Sequence, residues 1–475
     1  FFCFRGEPHR VQERPRCARR YYLLAAMGYR CLSALILALA LLGASGEQPP
    51  APLLSLLRGL ASSRRAGAPA VGGAAELAKP SSGGEDSRVV VKLNRATART
   101  VSAASGDPVS FYVGSVWVGH PKPQELTVLF DTASGHVLLP AAECVNATCL
   151  EHRRYSAQAS ATAEAVNADG HPVVSKATWK DGINIDFSQI DLGDGDINGD
   201  LVRDSVCLGA PQGACANFGI VAAMSMAEAP FRAAPYDGLV GLGLSGLTLG
   251  PQFSVLGRLA EGLRPQFSLS LRGPVGELSL GGPGPALSRA APPQWFPVVR
   301  PEEGFWQVAI EAVRVGNVTV DTCAAGCRGI VDSGASSLGV PAALAARLAA
   351  VLTAAPVPGQ GCQGPELHLD LGGGRALTLR AEDYAGVACT SAPQLTPLSL
   401  EPAEQFAGAL VLGLSVLRRY DAIFDWSPQQ PRVGFSLAAL RAVRLGLPAA
   451  DHRGPGRTVL SEAEDSASFV QQLVV

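Results

Sequence analysis

Two short segments of the sequence share a pattern that is suited to acid–base chemistry. LFDTAS at 129–134 returns as IVDSGA at 330–335, so each copy has an apolar run, an aspartate, a hydroxyl residue and a small residue. An aspartate at the end of a buried strand is unfavourable unless its oxygens are hydrogen-bonded. Thr132 and Ser333 can bond the neighbouring backbone, and a small third residue allows a tight turn that donates an N–H to the carboxylate.

Two such turns brought face to face would place the carboxyl groups of Asp131 and Asp332 in contact. Like charges at that distance cannot both ionise, so the pair would hold one proton. One carboxyl could then take a proton from a water while the other gives a proton to a peptide carbonyl, without a covalent intermediate. The repeat therefore predicts Asp131 and Asp332 as a catalytic pair. The residues predicted to support the pair are Thr132, Ser134, Ser333 and Gly334.

The composition favours a chain built mainly from short strands. Of 475 residues, 47% are hydrophobic and only 17% are charged, with 53 glycines and 35 prolines that punctuate the apolar runs. Strand signals extend from Phe111 to about residue 436, and helical patterning is brief, at 341–354 and 414–420. The net charge of −2 gives no sign of a nucleic acid or an anionic membrane as partner.

The N-terminal residues predict entry into the secretory pathway. A basic start at 27–30, an apolar stretch at 32–42 and small residues at 44–46 follow the pattern of a signal peptide. Residues 1–46 are therefore interpreted as an upstream extension and signal peptide, and the chain as secreted or held in the lumen of an acidic organelle. A signal anchor remains an alternative if translation starts upstream, and no membrane span is expected in the mature chain.

Cysteine spacing supports an oxidising compartment. Eight of the eleven cysteines fall in close pairs, which favours disulfides. Zinc is the alternative, but no C-x-x-C occurs and no histidine stands at ligand spacing, so no metal site is predicted. Asn146 and Asn317 begin Asn-x-Thr tripeptides and are candidate glycosylation acceptors. The candidate disulfides are Cys144–Cys149, Cys207–Cys215, Cys323–Cys327 and Cys362–Cys389.

The order of these features resembles the pepsin-like aspartic protease family over about residues 110–436. DTAS and DSGA match the two DTGS/DTGT motifs of that family, DGLVGLG at 237–243 is similar to its DGILGLG strand, and FWQ at 305–307 matches its Y/F-W-Q strand. The resemblance implies a two-lobed, all-β dominated acid protease fold with the active-site cleft between the lobes and a few short helices. It also implies an aspartic endopeptidase that acts on peptides or proteins as a monomer, without a cofactor.

The same resemblance sets the expected domain boundaries. Residues 47–107, rich in alanine, glycine, serine and proline, are interpreted as a pro-segment or linker. The N-terminal lobe, with the first catalytic aspartate and the flap, is placed at 108–285. The C-terminal lobe is placed at 286–445, and 446–475 is predicted to be a loose tail.

The sequence also departs from the family pattern. Ala133 replaces a motif glycine and would be strained if its φ were positive. Ala335 replaces a hydroxyl, and alignment of the flap places Leu192 where the family has a tyrosine. The flap is therefore predicted at Leu192, Gly193 and Asp194, working but atypical. Together these departures motivate an alternative, a catalytically inactive pepsin-like binding module. Ser134 is expected to bond the outer oxygen of Asp131, and His136 is interpreted as a surface or subsite residue.

Aspartates are concentrated in the predicted flap. Asp194-x-Asp196-x-Asn198 resembles the start of a calcium loop, although Ser205 stands at the twelfth position instead of a glutamate. The favoured interpretation is an acidic flap, whose field would attract basic residues of the substrate.

Overall fold

The computed structural model describes the part of the chain in which both aspartate motifs lie. The described residues are 88–99, 108–173, 182–189, 191–259, 261–285, 287, 292–357, 361–385, 389, 393–398, 400, 403–427 and 429–437. The predicted signal peptide at 1–46 and the predicted tail at 446–475 lie outside them. Within these residues no helix has both the length and the apolar character needed to span a bilayer.

Strands are the predominant regular structure of the described chain. In the first half they are β1 (Val89–Arg99), β2 (Pro108–Val118), β3 (Gln124–Asp131), β4 (Val137–Pro140), β5 (Glu164–Ala165), β6 (Ile183–Gln189), β7 (Gly193–Leu208), β8 (Ala214–Met226), β9 (Gly238–Gly241), β10 (Gln266–Arg272) and β11 (Val275–Leu280). In the second half they are β12 (Gln294–Pro297), β13 (Gln307–Ile310), β14 (Ala312–Val315), β15 (Val318–Asp321), β16 (Cys327–Val331), β17 (Leu338–Pro341), β18 (Ala355–Val357), β19 (Gly361–Gln363), β20 (Leu367–Gly372), β21 (Arg375–Leu379), β22 (Leu395–Leu398), β23 (Ala409–Leu412), β24 (Tyr420–Asp425) and β25 (Arg432–Leu437).

The α-helices are short. They are α1 (Ala147–Leu150), α2 (Val255–Leu259), α3 (Ala342–Val351), α4 (Ala381–Tyr384), α5 (Ala403–Phe406) and α6 (Leu414–Leu417). The helical patterns at 341–354 and 414–420 correspond to α3 and α6. The second pattern is longer than its helix, because the chain leaves α6 after Leu417 and enters the buried strand β24 at Tyr420.

One large sheet joins the two halves. Its order is β12-β25-β24-β10-β11-β1-β2-β3-β9-β4-β8-β7-β5, with β6 paired to β7. Three of these strands, β12, β24 and β25, come from the range assigned to the C-terminal lobe. A five-stranded sheet, β13-β16-β23-β17-β22, and a four-stranded sheet, β15-β14-β20-β21, complete the second half. Buried Trp306 joins the halves as well, since its ring N–H donates to the carbonyl of Leu242 at 2.8 Å.

The two aspartate motifs occupy equivalent places in the topology. β3 runs parallel to β9 and ends with Asp131 opposite Gly241, while β4 returns antiparallel to β9. In the second half β16 runs parallel to β23, with Val331 opposite Leu412, and β17 returns antiparallel to β23. The apolar-apolar-Gly triplets of the sequence therefore form the strands beside each aspartate, and the sequence repeat is a repeat of local structure.

The large sheet includes a strand that precedes the predicted lobe boundary at residue 108. β1 pairs with β11 on one side and β2 on the other, although it lies in the range interpreted as a pro-segment or linker. Val91 and Leu93 are buried while Val90 and Lys92 are exposed, which is the period-two pattern of a strand with one face on a core. The division into pro-segment, lobes and tail otherwise remains a prediction.

All four predicted cysteine pairs are bonded, at Cys144–Cys149, Cys207–Cys215, Cys323–Cys327 and Cys362–Cys389. Three of the bonds close a local turn or hairpin, with sequence separations of 5, 8 and 4, whereas Cys362–Cys389 spans 27 residues. All four match the pairs predicted from the sequence. Disulfides persist in oxidising compartments. The cross-links therefore indicate an extracellular or secretory-pathway protein.

The two glycosylation candidates differ in accessibility. Asn146 caps α1 by accepting from the amide of Cys149 at 3.0 Å, and its Nδ2 donates to the carbonyl of Met226 at 2.7 Å. Asn317 is exposed in the turn between β14 and β15. Because an attached glycan is bulky and must lie at the surface of the folded chain, we expect the chain to carry an N-glycan at Asn317 when expressed through a eukaryotic secretory pathway. Endoglycosidase treatment should shift the gel mobility of the wild type and of Asn146→Gln. A shift that persists in Asn317→Gln would contradict this prediction.

Candidate active site

The carboxyl groups of the two motif aspartates meet in the interior of the molecule. Asp131 is 5% exposed and Asp332 is 8% exposed, and their side chains hydrogen-bond each other. A Cβ atom added to Gly334 would lie 3.0 Å from Oδ1 of Asp131 and 3.1 Å from Oδ1 of Asp332. One methyl group would thus crowd both carboxyls at once, so glycine at this position leaves room for the pair and for what binds to it.

Backbone amides fix each carboxyl in its turn. The N–H of Ala133 donates to Oδ1 of Asp131 at 2.9 Å. Gly334 and Ala335 donate to Oδ1 of Asp332 at 2.7 Å and 3.2 Å. These are the amide donors that the tight turn after each aspartate was expected to supply. They orient both carboxyls and offset part of the cost of burying them.

Thr132 and Ser333 cross-link the two turns. The Thr132 hydroxyl donates to the carbonyl of Val331 at 2.7 Å and accepts from the Ser333 amide at 3.0 Å. Reciprocally, the Ser333 hydroxyl donates to the carbonyl of Phe130 at 2.7 Å and accepts from the Thr132 amide at 3.1 Å. Each hydroxyl therefore bonds the opposite motif and not its own neighbours, and the four bonds fix how closely the aspartates approach.

Burial and charge act together on the proton of the pair. Burial is the largest effect and raises the pKa of Asp332 well above its ordinary value, and the negative charge of Asp131 raises it further. The amide of Gly334 lowers the pKa by less. The pair consequently keeps one proton at pH values where an ordinary carboxyl group would be ionised.

The structure corrects two expectations about residues beside Asp131. Ser134 is buried, and its Oγ has no hydrogen-bond partner among the described residues, so the expected bond to Asp131 does not form. The Ala133 amide occupies Oδ1 of Asp131 instead. His136 is 1% exposed, which rules out a surface role. Its Nε2 accepts from the amide of Leu249 at 3.0 Å, and burial lowers its pKa to about 4, so the ring is neutral near pH 7.

Ala133 is accommodated without backbone strain. Positive φ angles occur at only three non-glycine residues of the described chain, and Ala133 is not among them. Its methyl group is buried. The substitution therefore leaves the turn and its amide bond to Asp131 intact.

The flap is the hairpin formed by β6 and the first half of β7, in which Gln189 pairs with Gly193. Leu192 lies at its tip, is 1% exposed and packs in an apolar cluster with Phe111, Phe187 and Tyr236. Gly193 adopts a φ of 99°, which explains why glycine follows Leu192. An aliphatic side chain, Leu192, therefore occupies the flap position at which the family has a tyrosine.

Tyr236 is a buried phenol near the aspartates that the motifs of the sequence did not predict. Its hydroxyl is buried and has no hydrogen-bond partner in the described part of the chain. Burial raises the pKa of Tyr236, and the charges of Asp131, Asp332 and Asp191 raise it further. Tyr236 directly precedes the DGLVGLG segment. Its position next to this family motif is the feature of the sequence that could have indicated it.

The aspartates of the flap separate into an outer and an inner group. Asp194, Asp196 and Asn198 are exposed and alternate along the extended strand β7, whereas Asp191 is buried. A calcium loop needs ligands that converge on one point, which an extended strand does not provide, so these residues do not form the calcium loop that was the alternative. If the acidic flap attracts basic residues of a substrate, that attraction would come from Asp194 and Asp196 on the exposed face of the hairpin.

Comparison with known proteins agrees with this geometry. The family model described as eukaryotic aspartyl protease matches residues 111–438. Napsin-A of Mus musculus is 31% identical over 357 residues, which covers 70% of this chain and 78% of napsin-A. Gastricsin of Cavia porcellus is 29% identical over 358 residues, covering 70% of this chain and 82% of gastricsin. Phytepsin of Hordeum vulgare is 32% identical over 261 residues, and there the match spans about half of each protein, 53% of this chain and 47% of phytepsin. The chain belongs to the eukaryotic aspartyl protease family.

Proposed function

We propose that this chain is an aspartic endopeptidase that hydrolyses peptide bonds with a water activated between Asp131 and Asp332. The observation that carries the proposal is the buried, hydrogen-bonded carboxyl pair, whose members come from distant motifs and are held by reciprocal bonds of Thr132 and Ser333. Such a pair holds one proton at rest, which supplies an acid and a base at the same place.

The chemistry follows from that shared proton. The ionised carboxyl removes a proton from the water, whose oxygen attacks the peptide carbon, while the protonated carboxyl donates to the carbonyl oxygen. The resulting tetrahedral diol then breaks its C–N bond: the departing nitrogen takes the proton from the pair, and one hydroxyl of the diol returns its proton to the pair as the new C=O forms. The products are a carboxylic acid and an amine, and the pair again holds one proton. The proton belongs to the pair as a unit, so neither residue is assigned as the resting acid.

The substrate class is peptide or protein, and the chain acts as a monomer. The four disulfides support a site of action in the secretory pathway, either outside the cell or in the lumen of an acidic organelle. Residues 47–107 would include a pro-segment that is removed on activation, and residues 1–46 a signal peptide.

The alternative of an inactive binding module is not favoured by the site. Ala133 keeps its amide bond to Asp131, and the added methyl causes no backbone strain. Ala335 still donates its amide to Asp332. Leu192 replaces a donor in the flap and leaves both carboxyls untouched, so none of the three departures removes the acid or the base.

A quenched fluorescent peptide library tested across pH distinguishes the two functions. We expect hydrolysis on the acidic side that a statine-type inhibitor blocks. The rate should fall as pH rises through the raised pKa of the pair, because the proton that activates the carbonyl is then lost. Binding of the inhibitor by a chain that cleaves no peptide at any pH would favour the binding module instead.

A further inference from the structure

The tip of the flap is bonded directly to the segment that follows the second catalytic aspartate. Asp191 is 6% exposed and precedes Leu192 at the tip. One of its carboxylate oxygens accepts from the backbone N–H of Ser336 at 2.6 Å, and the other accepts from the Ser337 hydroxyl at 2.8 Å. We infer that Asp191 is a latch that holds the flap shut across the cleft, and that a peptide substrate must displace it. The inference rests on the proposed function, since a shut flap matters only if peptides enter.

The two donors that hold Asp191 are themselves fixed in the fold. The Ser336 hydroxyl accepts from the amide of Ser110 on β2 at 2.9 Å. The Ser337 hydroxyl also bonds Oγ1 of Thr396 on β22, at 2.6 Å. The latch therefore closes onto a receptor that is positioned by one strand from each half of the molecule. Because both donors are already held in place, little further conformational entropy is lost when the carboxylate binds them.

The latch lies within the electrostatic reach of the catalytic pair. Asp191 acts on Tyr236 together with Asp131 and Asp332, all three raising the pKa of its buried hydroxyl. Ser336 and Ser337 follow Asp332 closely in sequence. A peptide lying across the pair in an extended conformation would therefore run into the Asp191 contacts soon after leaving the catalytic centre on this side.

The distances leave no room for such a peptide. An aspartate side chain spans less than about 4 Å from Cα to its carboxylate oxygens, because its bonds are about 1.5 Å long. With a hydrogen bond of 2.6 Å, the backbone of the flap tip lies within about 7 Å of the Ser336 amide. A strand inserted between two others needs about 9.5 Å, twice the usual spacing of neighbouring strands. An extended chain can pass only after the latch has opened.

This geometry turns Asp191 into a competitor of the substrate. A peptide that occupies this side of the cleft would take over the Ser336 N–H and the Ser337 hydroxyl, which are donors suited to a peptide carbonyl. The apparent affinity for such a peptide is lowered by the fraction of molecules in which the latch is open. Two hydrogen bonds to a carboxylate are strong enough to keep that fraction at about one tenth or below.

The test removes the carboxylate and measures binding apart from chemistry. In Asp191→Ala we expect the association rate of a statine-type inhibitor to rise, and KM for a long peptide to fall, each by about tenfold, with kcat within about threefold. Ser337→Ala removes one of the two bonds and should give a smaller change in the same direction. Glu125→Gln is the control, since it removes a charge from an exposed position on β3, outside the flap and the catalytic pair. It should behave as the wild type.

Hydrogen exchange at the Ser336 amide supplies a readout that does not depend on catalysis. This amide should be protected in the wild type and in Glu125→Gln, and should exchange at least about tenfold faster in Asp191→Ala. The latch would be overturned if the Ser336 amide exchanged equally fast in the wild type and in Asp191→Ala, and if the inhibitor association rate and KM were unchanged in both Asp191→Ala and Ser337→Ala. A fall in kcat at unchanged KM would also overturn it, because Asp191 would then act in the chemistry. A wild type that neither cleaves peptides nor binds the inhibitor refutes the proposed function, while the exchange measurement still decides the latch.

Discussion

Replacing Asp332 by asparagine should abolish peptide hydrolysis and, at neutral pH, stabilise the folded chain. Asparagine has nearly the same shape, and its Oδ1 can still accept from the amides of Gly334 and Ala335. It can neither hold nor deliver the shared proton. Removing one member of an acid–base pair costs about 10²-fold to 10⁴-fold in rate for each role it plays. Because the pair acts as a unit, Asp131→Asn should lose as much activity.

The stability gain follows from the sign of the pKa shift. In the folded chain the pKa of Asp332 is raised by burial and by Asp131, whereas in the unfolded chain it is near its ordinary value. Between those two values the folded state binds more protons than the unfolded state, so the free energy of unfolding falls as pH rises. The asparagine side chain of the Asp332→Asn variant does not titrate. The stability gained by the variant should therefore be absent below about pH 4 and should grow toward pH 7.

Two measurements decide this prediction. Turnover of a fluorogenic peptide gives the loss of activity, and thermal unfolding at pH 3 and pH 7 gives the change in stability. Glu125→Gln, at an exposed position on β3 outside the flap, is the control for loss of a carboxylate and should alter neither. If Asp332→Asn turned the peptide over at nearly the wild-type rate, Asp332 would have no part in the chemistry. Equal destabilisation of Asp332→Asn at both pH values would show that the carboxyl is not held protonated by burial and by its neighbour.

The parts of the site that the sequence predicted are those encoded by short stretches of chain. An aspartate followed by a hydroxyl and a small residue specifies a tight turn with local amide donors, which is why both carboxyls and their bonds to Ala133 and Gly334 were foreseeable. Three of the disulfides were predictable for the same reason, since they join cysteines at most 8 residues apart. Cys362–Cys389, 27 residues apart, was the one remaining pair. Apolar runs punctuated by glycine and proline predicted the strands from Phe111 onward, although they did not reveal that β1 belongs to the large sheet.

Residues whose roles depend on distant packing were not predictable. Thr132 and Ser333 were expected to bond neighbouring backbone, but each bonds the opposite motif. His136 was interpreted as a surface or subsite residue, but it is buried and accepts a hydrogen bond from the amide of Leu249. Nothing in the local sequence of Asp191 indicates that Ser336 lies opposite, because the flap hairpin must fold over before the two meet. The chemistry of a side chain can be inferred from its residue type and immediate sequence, whereas its hydrogen-bond partner is determined by the tertiary structure.

The second large effect is expected for Thr132→Val, which should destabilise the fold by about 2–5 kcal/mol and also reduce activity. Valine keeps the volume and branching of threonine but lacks its hydroxyl. The carbonyl of Val331 and the amide of Ser333 would then be buried without the partner they have now. An unsatisfied buried polar group costs about 1–3 kcal/mol. Against a total stability of about 5–15 kcal/mol, the loss is large.

Activity should fall in the same variant because these bonds set the approach of the two aspartates. Thr132→Ser is the matched control, since it keeps the hydroxyl and loses only a methyl group, worth about 1 kcal/mol. Urea unfolding and turnover should place Thr132→Ser near the wild type and Thr132→Val far from it. If the two variants lost equal stability, packing of the methyl group and not the cross-link would be responsible. Ser333→Ala removes the reciprocal hydroxyl, and combining it with Thr132→Val should cost less than the sum of the single changes, because both variants loosen the same junction.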